Sequence, residues 1–331
     1  MKKKSIKDIA QDLGLSKTTV SFVLNNKGDE KNISKKTQIK ILDYVKKVDY
    51  HPNQIAKSLK QGQTNTIGYL VPDISNPFFA KIGRLLEDYF WEKGYHLLIG
   101  STDENKDKET QVLNMFVNRQ VDALIVASCF ENLGMLKTLA AQRFPMVFFD
   151  RESPDFNGNY ILVENKNAMR SAVDKVINKG AKRIGLLSIT PNVYSLKLRI
   201  DGYKQALIEN NIDVDEDLIR VVEIDDLKES SKTQLTFLME QGVDAIAFTN
   251  NQITAHAIWL MNTAFREDLD RMNFVSFDNL DLFDYSLPIV TSVAQPIKEI
   301  AQYSVDILEE VMKSNKEESK RIELKPRLIE R

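Results

Sequence analysis

Polar and apolar positions along the first fifty residues repeat with a helical period. Ile6, Ile9, Ala10 and Leu13 form one apolar stripe behind Ser5 and Asp8, a pair able to make a capping box, and this predicts a first helix. Gly14 and Leu15 turn the chain and Ser16 can cap a second helix. Leu15 and Val20 stand at the spacing of a hydrophobic staple, which would fix the angle between the two helices. In the second helix Thr19, Val20, Val23 and Leu24 share one face, leaving Lys17, Thr18, Ser21, Phe22 and Asn25 on the other. Ser34 opens a third helix, whose Ile41, Leu42, Val45 and Val48 are expected to close a small core over the first two. Tyr50-His51-Pro52-Asn53 ends it, because proline biases its predecessor away from helical geometry. Asn53 can then cap one more short helix over 54–60, with Ile55, Ala56 and Leu59 on its apolar side, before a polar linker over 62–66.

From Thr66 the pattern changes to short apolar runs alternating with amphipathic helices, the signature of parallel sheets with crossover helices. Strands are expected at 67–71, 96–99, 123–126 and 146–149, and again at 184–187, 221–224, 245–248 and 274–277. Val121-Asp122-Ala123-Leu124 and Val243-Asp244-Ala245-Ile246 each follow a helix and open a strand, so the body reads as a duplicated unit. Two such lobes leave a cleft where strand C-terminal ends face one another. A helix over 295–313 and the stretch 322–331 fall outside this count and are expected to return the chain between lobes.

Charge divides the chain at the same place. Residues 1–62 hold fourteen lysines and six acids, a balance of +8, leaving −10 for the rest of a 331-residue chain whose total is −2. A basic head on an acidic body fits a polyanionic partner for the head, or simply a lysine-rich surface. The exposed face of the second helix adds small hydrogen-bonding groups, one cation and an outward ring, which is what a major-groove reading helix needs and a merely solvated face does not. The fourth helix can be a wedge that folds on DNA and puts Leu59 between base steps, or an ordinary linker packing on its neighbour. One cysteine, Cys129, leaves no internal disulfide and no cysteine-rich zinc site. Lys2 to Lys4 are followed by Asp8, Gln11 and Asp12 rather than a secretory apolar stretch, and no run approaches a membrane span, so a cytoplasmic protein is expected.

The run from Ile6-Lys7-Asp8-Ile9-Ala10 through Leu15 to Asn25, then Tyr50 to Asn53 and Ile55-Ala56-Lys57-Ser58-Leu59, closely resembles the lactose-repressor/galactose-repressor (LacI/GalR) family. Ser75-Asn76-Pro77-Phe78-Phe79, Arg199 to Tyr203, Val275 to Asn279 and Lys325 to Arg331 extend the resemblance over the whole chain. It implies an all-α helix-turn-helix head over 1–50, a hinge helix and linker over 51–65, and over 66–331 an α/β effector-binding and dimerisation domain of two Rossmann-like lobes, similar to type I periplasmic binding proteins. It further implies that Ser16, Lys17, Thr18, Ser21, Phe22 and Asn25, with Asn53, Ala56, Lys57 and Leu59 of the hinge, contact a palindromic operator in double-stranded DNA. The same resemblance places Phe79, Asp150, Arg151, Arg199, Asn251 and Asp278 around a small-molecule effector. The chain departs from the family pattern at Phe22, where many members carry a polar base-reader, and over 26–32, which is longer by about three residues. Gln252 replaces an aspartate, and Val193 stands near the place where purine-responsive members hold a ligand arginine, which argues against a purine.

The implied protein is a homodimeric transcriptional regulator, a repressor of carbohydrate genes controlled by a sugar or sugar acid, with no cofactor, metal, catalytic residue or membrane partner. Carboxylates, an amide and a guanidinium supply converging acceptors and donors for hydroxyls, and a ring such as Phe79 can cover an apolar sugar face. No G-x-G-x-x-G, P-loop, H-E-x-x-H or nucleophile elbow occurs, and His51, His96 and His256 lie far apart. The alternatives are a sugar receptor that never touches DNA, which has no use for residues 1–62, and a sugar-modifying enzyme with an accessory basic domain.

Overall fold

The computed structural model describes residues 4–50, 62–131, 133–189, 193–286, 288–313 and 319–331. The chain divides into two compact units, Met1–Thr64 and Asn65–Arg331. The hinge positions Asn53, Ala56, Lys57 and Leu59, and the helix expected over 54–60, lie outside the described residues.

The first unit holds helices α1 (Ile6–Leu13), α2 (Lys17–Leu24) and α3 (Lys35–Lys47). Each begins where a serine accepts from a backbone N–H three residues on: Ser5 from Asp8, Ser16 from Thr19 and Ser34 from Thr37. Asp8 completes the box by accepting from the Ser5 N–H at 2.8 Å. Gly14 ends α1 in the left-handed conformation (φ 66°), which a residue without a Cβ adopts at no steric cost. Ile9, Ala10, Val20, Val23 and Ile41 form the buried core, with Leu15, Tyr44, Val45 and Tyr50 packed against it. Leu42 does not join them: it is 49% exposed. Next to Ile41 along the helix, it is rotated about 100° from the buried seam, and Tyr44 and Val45 complete that seam instead. Lys40 Nζ donates to the Leu13 carbonyl (3.2 Å), and the Tyr44 hydroxyl donates to Asp12 (2.5 Å), so α3 also ties down α1 through its polar edge.

The second unit contains two sheets of six strands. The first has β1 (Thr66–Val71), β2 (His96–Ser101), β3 (Ala123–Val126), β4 (Met146–Phe149), β5 (Asn159–Val163) and β11 (Arg321–Leu324), in the order β11-β5-β4-β3-β1-β2 and all parallel. The second repeats that order as β12-β10-β9-β8-β6-β7. Its strands are β6 (Ile184–Ser188), β7 (Ile219–Val221), β8 (Ala245–Phe248), β9 (Asn273–Phe277), β10 (Val290–Ala294) and β12 (Arg327–Ile329), of which only β12 runs antiparallel.

Helices cover both faces of each sheet, as parallel strands require. Around the first sheet, α4 (Pro77–Glu92) and α11 (Ile297–Lys313) pack on one face, and α5 (Lys106–Asn118) and α6 (Leu133–Ala141) on the other. Around the second, α7 (Asn165–Asn178) and α8 (Tyr194–Glu209) oppose α9 (Leu227–Glu240) and α10 (Asn251–Thr263). Central strands therefore serve two cores at once. Ile67, Tyr69 and Val71 face the α4 and α11 layer while Leu70 faces α5 and α6. At Gly68, on that second face, a Cβ would collide with Leu124 and Phe116, so the close approach of neighbouring side chains fixes glycine there.

The second series departs from expectation at one strand. The edge strand lies at Ile219–Val221, not at 221–224, and residues from Ile224 enter a short 3-10 turn. Register with β6, Leu186 opposite Ile219, decides this over the local apolar run. The segments left over as connections prove to be α11, which joins the first lobe, and the two terminal strands, one added to each sheet. The chain thus crosses between lobes at Val163–Asn165, Ala294–Ile297 and Leu324–Arg327.

Candidate ligand cleft and nucleic-acid interface

Strand ends build the cleft. Its wall takes Pro72 and Asp73 after β1, Asp103 and Glu104 after β2, Asp150 and Arg151 after β4, Ile224 and Asp225 after β7, Asn250 after β8, Asp278 after β9 and Gln295 after β10. Parallel sheets place all these C-terminal ends on one side, which is where open α/β sheets offer a ligand site. The cavity measures about 340 Å³ and is closed by Phe78, Phe79, Val193, Leu196 and Leu227.

Asp150 and Asp278 occupy equivalent places in the two lobes, following β4 and β9. Both hold the left-handed backbone conformation, at φ 64° and 73°. Aspartate tolerates that region better than most residues, and its use twice in the floor of one cavity sets the direction of both side chains. Asp278 is 7% exposed, and burial pushes its carboxyl above the usual range; Arg199 and a hydrogen bond from Gln295 Nε2 (2.5 Å) act the other way.

Arg199, 4% exposed, is held from every side. Its Nε donates to Asn165 Oδ1 and its Nη1 to the Thr249 carbonyl, both at 2.7 Å. Its guanidinium lies 3.7 Å from the Phe277 ring centre, and Nη2 stands 3.8 Å from Asp150. Burial lowers its pKa, which Asp278 and Asp150 partly restore. Arg151 is used differently: both terminal nitrogens go to Glu104 (2.7 and 2.5 Å) and Nε faces Asp150 at 3.4 Å. Burial works against the Arg151 charge, but Glu104 outweighs it and leaves the pKa above the usual value.

Of the six expected residues, Phe79, Asp150, Arg151, Arg199 and Asp278 line this cavity. Asn251 does not; it lines a smaller neighbouring one of about 100 Å³ with Lys81, Asn279 and Ala294, while Asp278, Gln295 and Phe78 belong to both. Asn251 Nδ2 donates across the lobes to Asn76 Oδ1 at 3.2 Å, and its own Oδ1 has no hydrogen-bond partner. Glu104, Asn250 and Gln295 escaped the residue-by-residue reading. Their signal was position, within three residues of a strand end.

Cys129 sits just beyond β3, where burial pushes its thiol up to about 12, so it stays protonated and unreactive at neutral pH. Among the described residues no group of histidine, cysteine and carboxylates is arranged to hold a metal, and no helix is long and apolar enough to cross a membrane.

In the first unit α2 buries Val20 and Val23 and leaves Ser16, Lys17, Thr18 and Asn25 exposed, with Ser21 and Phe22 half-buried. Ser16 is engaged as the cap, Asn25 Nδ2 turns back to the Ser21 carbonyl (2.7 Å), and Lys31 Nζ lies 5.6 Å from the centre of the Phe22 ring. The lengthened turn after α2 is closed by Lys35 and Gln38, which reach Asp29 at 2.7 and 2.9 Å. Lys17 and Thr18 are thus the outward groups at the amino end of a capped helix, the end that approaches base edges in helix-turn-helix proteins.

Comparison with known proteins agrees with both halves. The bacterial regulatory proteins, lacI family, match over residues 5–53, and the periplasmic binding protein domain over 67–316. The chain is 30% identical to the HTH-type transcriptional regulator DegA of Bacillus subtilis (strain 168), over 90% of this chain and 88% of that one. It is 28% identical to the HTH-type transcriptional regulator GalR of Escherichia coli (strain K12), over 92% and 88%. Its fold matches the lac repressor dimer bound to operator and the anti-inducer ONPF with a TM-score of 0.84 at 20% identity, covering 99% of this chain and 98% of that chain. With the head and the two-lobed body both matched, and DegA alike along nine-tenths of the chain, this protein belongs to the LacI family of bacterial regulatory proteins.

Proposed function

We propose that the protein represses genes of carbohydrate metabolism, binding a palindromic operator as a homodimer in the cytoplasm and answering to a sugar or sugar derivative held between its lobes. The observation that carries this is the pairing of two sites in one chain. A capped helix presents Lys17 and Thr18 on a unit rich in lysine, and a separate cavity sets carboxylate, guanidinium, amide and ring groups around about 340 Å³. Phosphate attraction supplies affinity for any duplex, and the exposed face of α2 supplies the choice among sequences. One such head reads half a site, which a two-fold pair doubles.

Asp150, Arg151, Arg199 and Asp278 are assigned to ligand hydroxyls and Phe79 to an apolar ring face; Ser16, Lys17, Thr18, Ser21, Phe22 and Asn25 are assigned to DNA. In the hinge, Asn53, Ala56, Lys57 and Leu59 carry the same assignment from sequence likeness. Val193 in the cavity wall offers no charge to a purine's polar edge, in keeping with a carbohydrate. The function is regulatory and not enzymatic.

The test is selection of bound duplexes from a randomised pool with the purified chain, repeated with candidate sugars. Enrichment of a palindrome whose retention changes with one sugar is expected, along with altered base preference in Lys17→Ala and Thr18→Ala. Equal recovery of all sequences, with and without sugars, would overturn the proposal.

A further inference from the structure

The charge lining the cavity is unbalanced. Arg151 and Arg199 are its two cations, and neither has a terminal nitrogen free of protein partners: Arg151 gives both to Glu104, and Arg199 gives one to Thr249 while the other faces Asp150. Against them stand Glu104, Asp150 and Asp278 in the floor, and Asp73, Asp103 and Asp225 towards the rim. Asp103 is matched by Lys108, and Lys81 of the smaller cavity is matched by Asp281. Among the described residues no cation pairs with Asp73 or Asp225, so the lining with Lys108 carries a net of −3. Protonating Asp278, whose carboxyl burial already raises, would still leave the balance negative.

Helix N-termini do not reverse it. Those of α4 and α10 are capped by Asn76 and Asn250 side chains. Those of α8 and α9 have no side-chain cap and contribute about half a positive charge each, still too little against three negative ones. The polar groups with spare capacity point the same way. Gln295 is nine-tenths buried and its Oε1 is without a partner, an acceptor that suits a hydroxyl and opposes an anion. Arg151 Nε has no hydrogen bond of its own, yet it faces Asp150 and offers a single donor where a phosphate takes several.

We infer that the effector is a carbohydrate bearing no carboxylate or phosphate, and that the acidic lining of the cleft excludes phosphorylated sugars and sugar acids. This rests on the carbohydrate reading above and narrows it. An anion entering such a cavity loses hydration and meets like charge, the arrangement by which sites reject wrong ligands.

Isothermal titration of the full-length protein tests this with matched sets, each a neutral mono- or disaccharide beside its uronic or aldonic acid and its phosphate ester. In any set that binds, the neutral sugar should bind at least about tenfold tighter than either anionic counterpart. Asp225→Lys, which reverses a charge at the exposed rim, should shrink that ratio several-fold. An acid or phosphate that binds as tightly as its neutral parent overturns the inference while leaving the carbohydrate reading intact, and so does a ratio unmoved by Asp225→Lys. Binding in no set removes the carbohydrate reading itself, and this inference with it.

Discussion

Replacing Arg199 by methionine keeps the buried stem and removes the charge, which isolates what the guanidinium does for the body. Two charge-assisted hydrogen bonds disappear, to Asn165 and the Thr249 carbonyl, each worth about 1.5–3 kcal/mol. Release of the guanidinium's own burial penalty, the largest influence on its pKa, offsets part of that. What remains is the cost of leaving Asp278 without its cation, while Asp150 keeps Arg151, and removal of one partner from a buried ionic cluster costs about 3–5 kcal/mol. Urea unfolding followed by tryptophan fluorescence reads the body alone, because Trp91 and Trp259 are the two tryptophans and lie one in each lobe. With a slope of about 3 kcal/mol per molar urea, the midpoint should fall by roughly 1–1.7 M near pH 7. The deficit must also depend on pH. Without Arg199 the Asp278 carboxyl, already raised by burial, rises further. A carboxyl raised in the folded state contributes stability that is complete below its unfolded value and is lost as pH rises through its folded value. The variant therefore recovers towards wild type as pH falls towards 3.8, the ordinary value of that carboxyl. A deficit under about 1 kcal/mol, or one unchanged between pH 7 and pH 4.5, would refute the electrostatic account of the cluster.

Gly202→Ala should destabilise the body by about 1–3 kcal/mol, because its Cβ would collide with the Lys166 carbonyl oxygen of α7, backbone that no rotamer change can move; an unaltered melting temperature would contradict this packing. Asp278→Asn removes a carboxyl raised by burial, so the gain of wild type relative to the variant should grow as pH falls from 7 towards 4, and parallel stability curves for the two proteins would count against it. Ser5→Ala abolishes the capping box of α1 and should cost the head about 1 kcal/mol, read as a lower melting point of a fragment holding residues 1–50 or as faster amide exchange near Asp8 in the full chain; exchange identical to wild type would show that the cap contributes nothing.

The head was legible because its signals are local. Ser5, Ser16 and Ser34 each announce a helix within three residues, and each caps it in the structure. Leu42 misleads for the complementary reason: hydrophobicity is a property of the residue, but burial depends on angle around a helix whose other faces carry lysine. In the body, eight strand runs follow the alternation of strand and helix, and that alternation is also what hid β5 and β10. Among the described residues of 150–158 and 278–289, which lead to these strands from the preceding ones, there is no crossover α-helix to announce them. The strand β7 was displaced because edge strands are held by register with one neighbour and carry charged residues such as Arg220. Asp150, Asp278 and the two arginines of the cleft were named through the family resemblance, whereas Gln295 and Glu104 became visible only once strand ends were placed in space.

That spatial view also links the cleft to the segments that join the lobes. Asn165 lies on the first crossing between lobes, 3.0 Å from the Val163 carbonyl to which it donates, and its side-chain oxygen accepts from Arg199. Gln295 lies on the second crossing and donates to Asp278. A ligand bound to Arg199 and Asp278 would therefore compete for the same atoms that fasten two of the three strands of chain joining the lobes. The Arg199–Asn165 and Gln295–Asp278 bonds each involve a charged partner and are worth about 1.5–3 kcal/mol. Coupling between sites in switching proteins is of the same size, about 1–3 kcal/mol. One hydrogen bond exchanged at either crossing would thus be enough to bias an angle between the lobes, and a ligand satisfying Arg199 and Asp278 without disturbing Asn165 or Gln295 would fill the cleft and shift nothing.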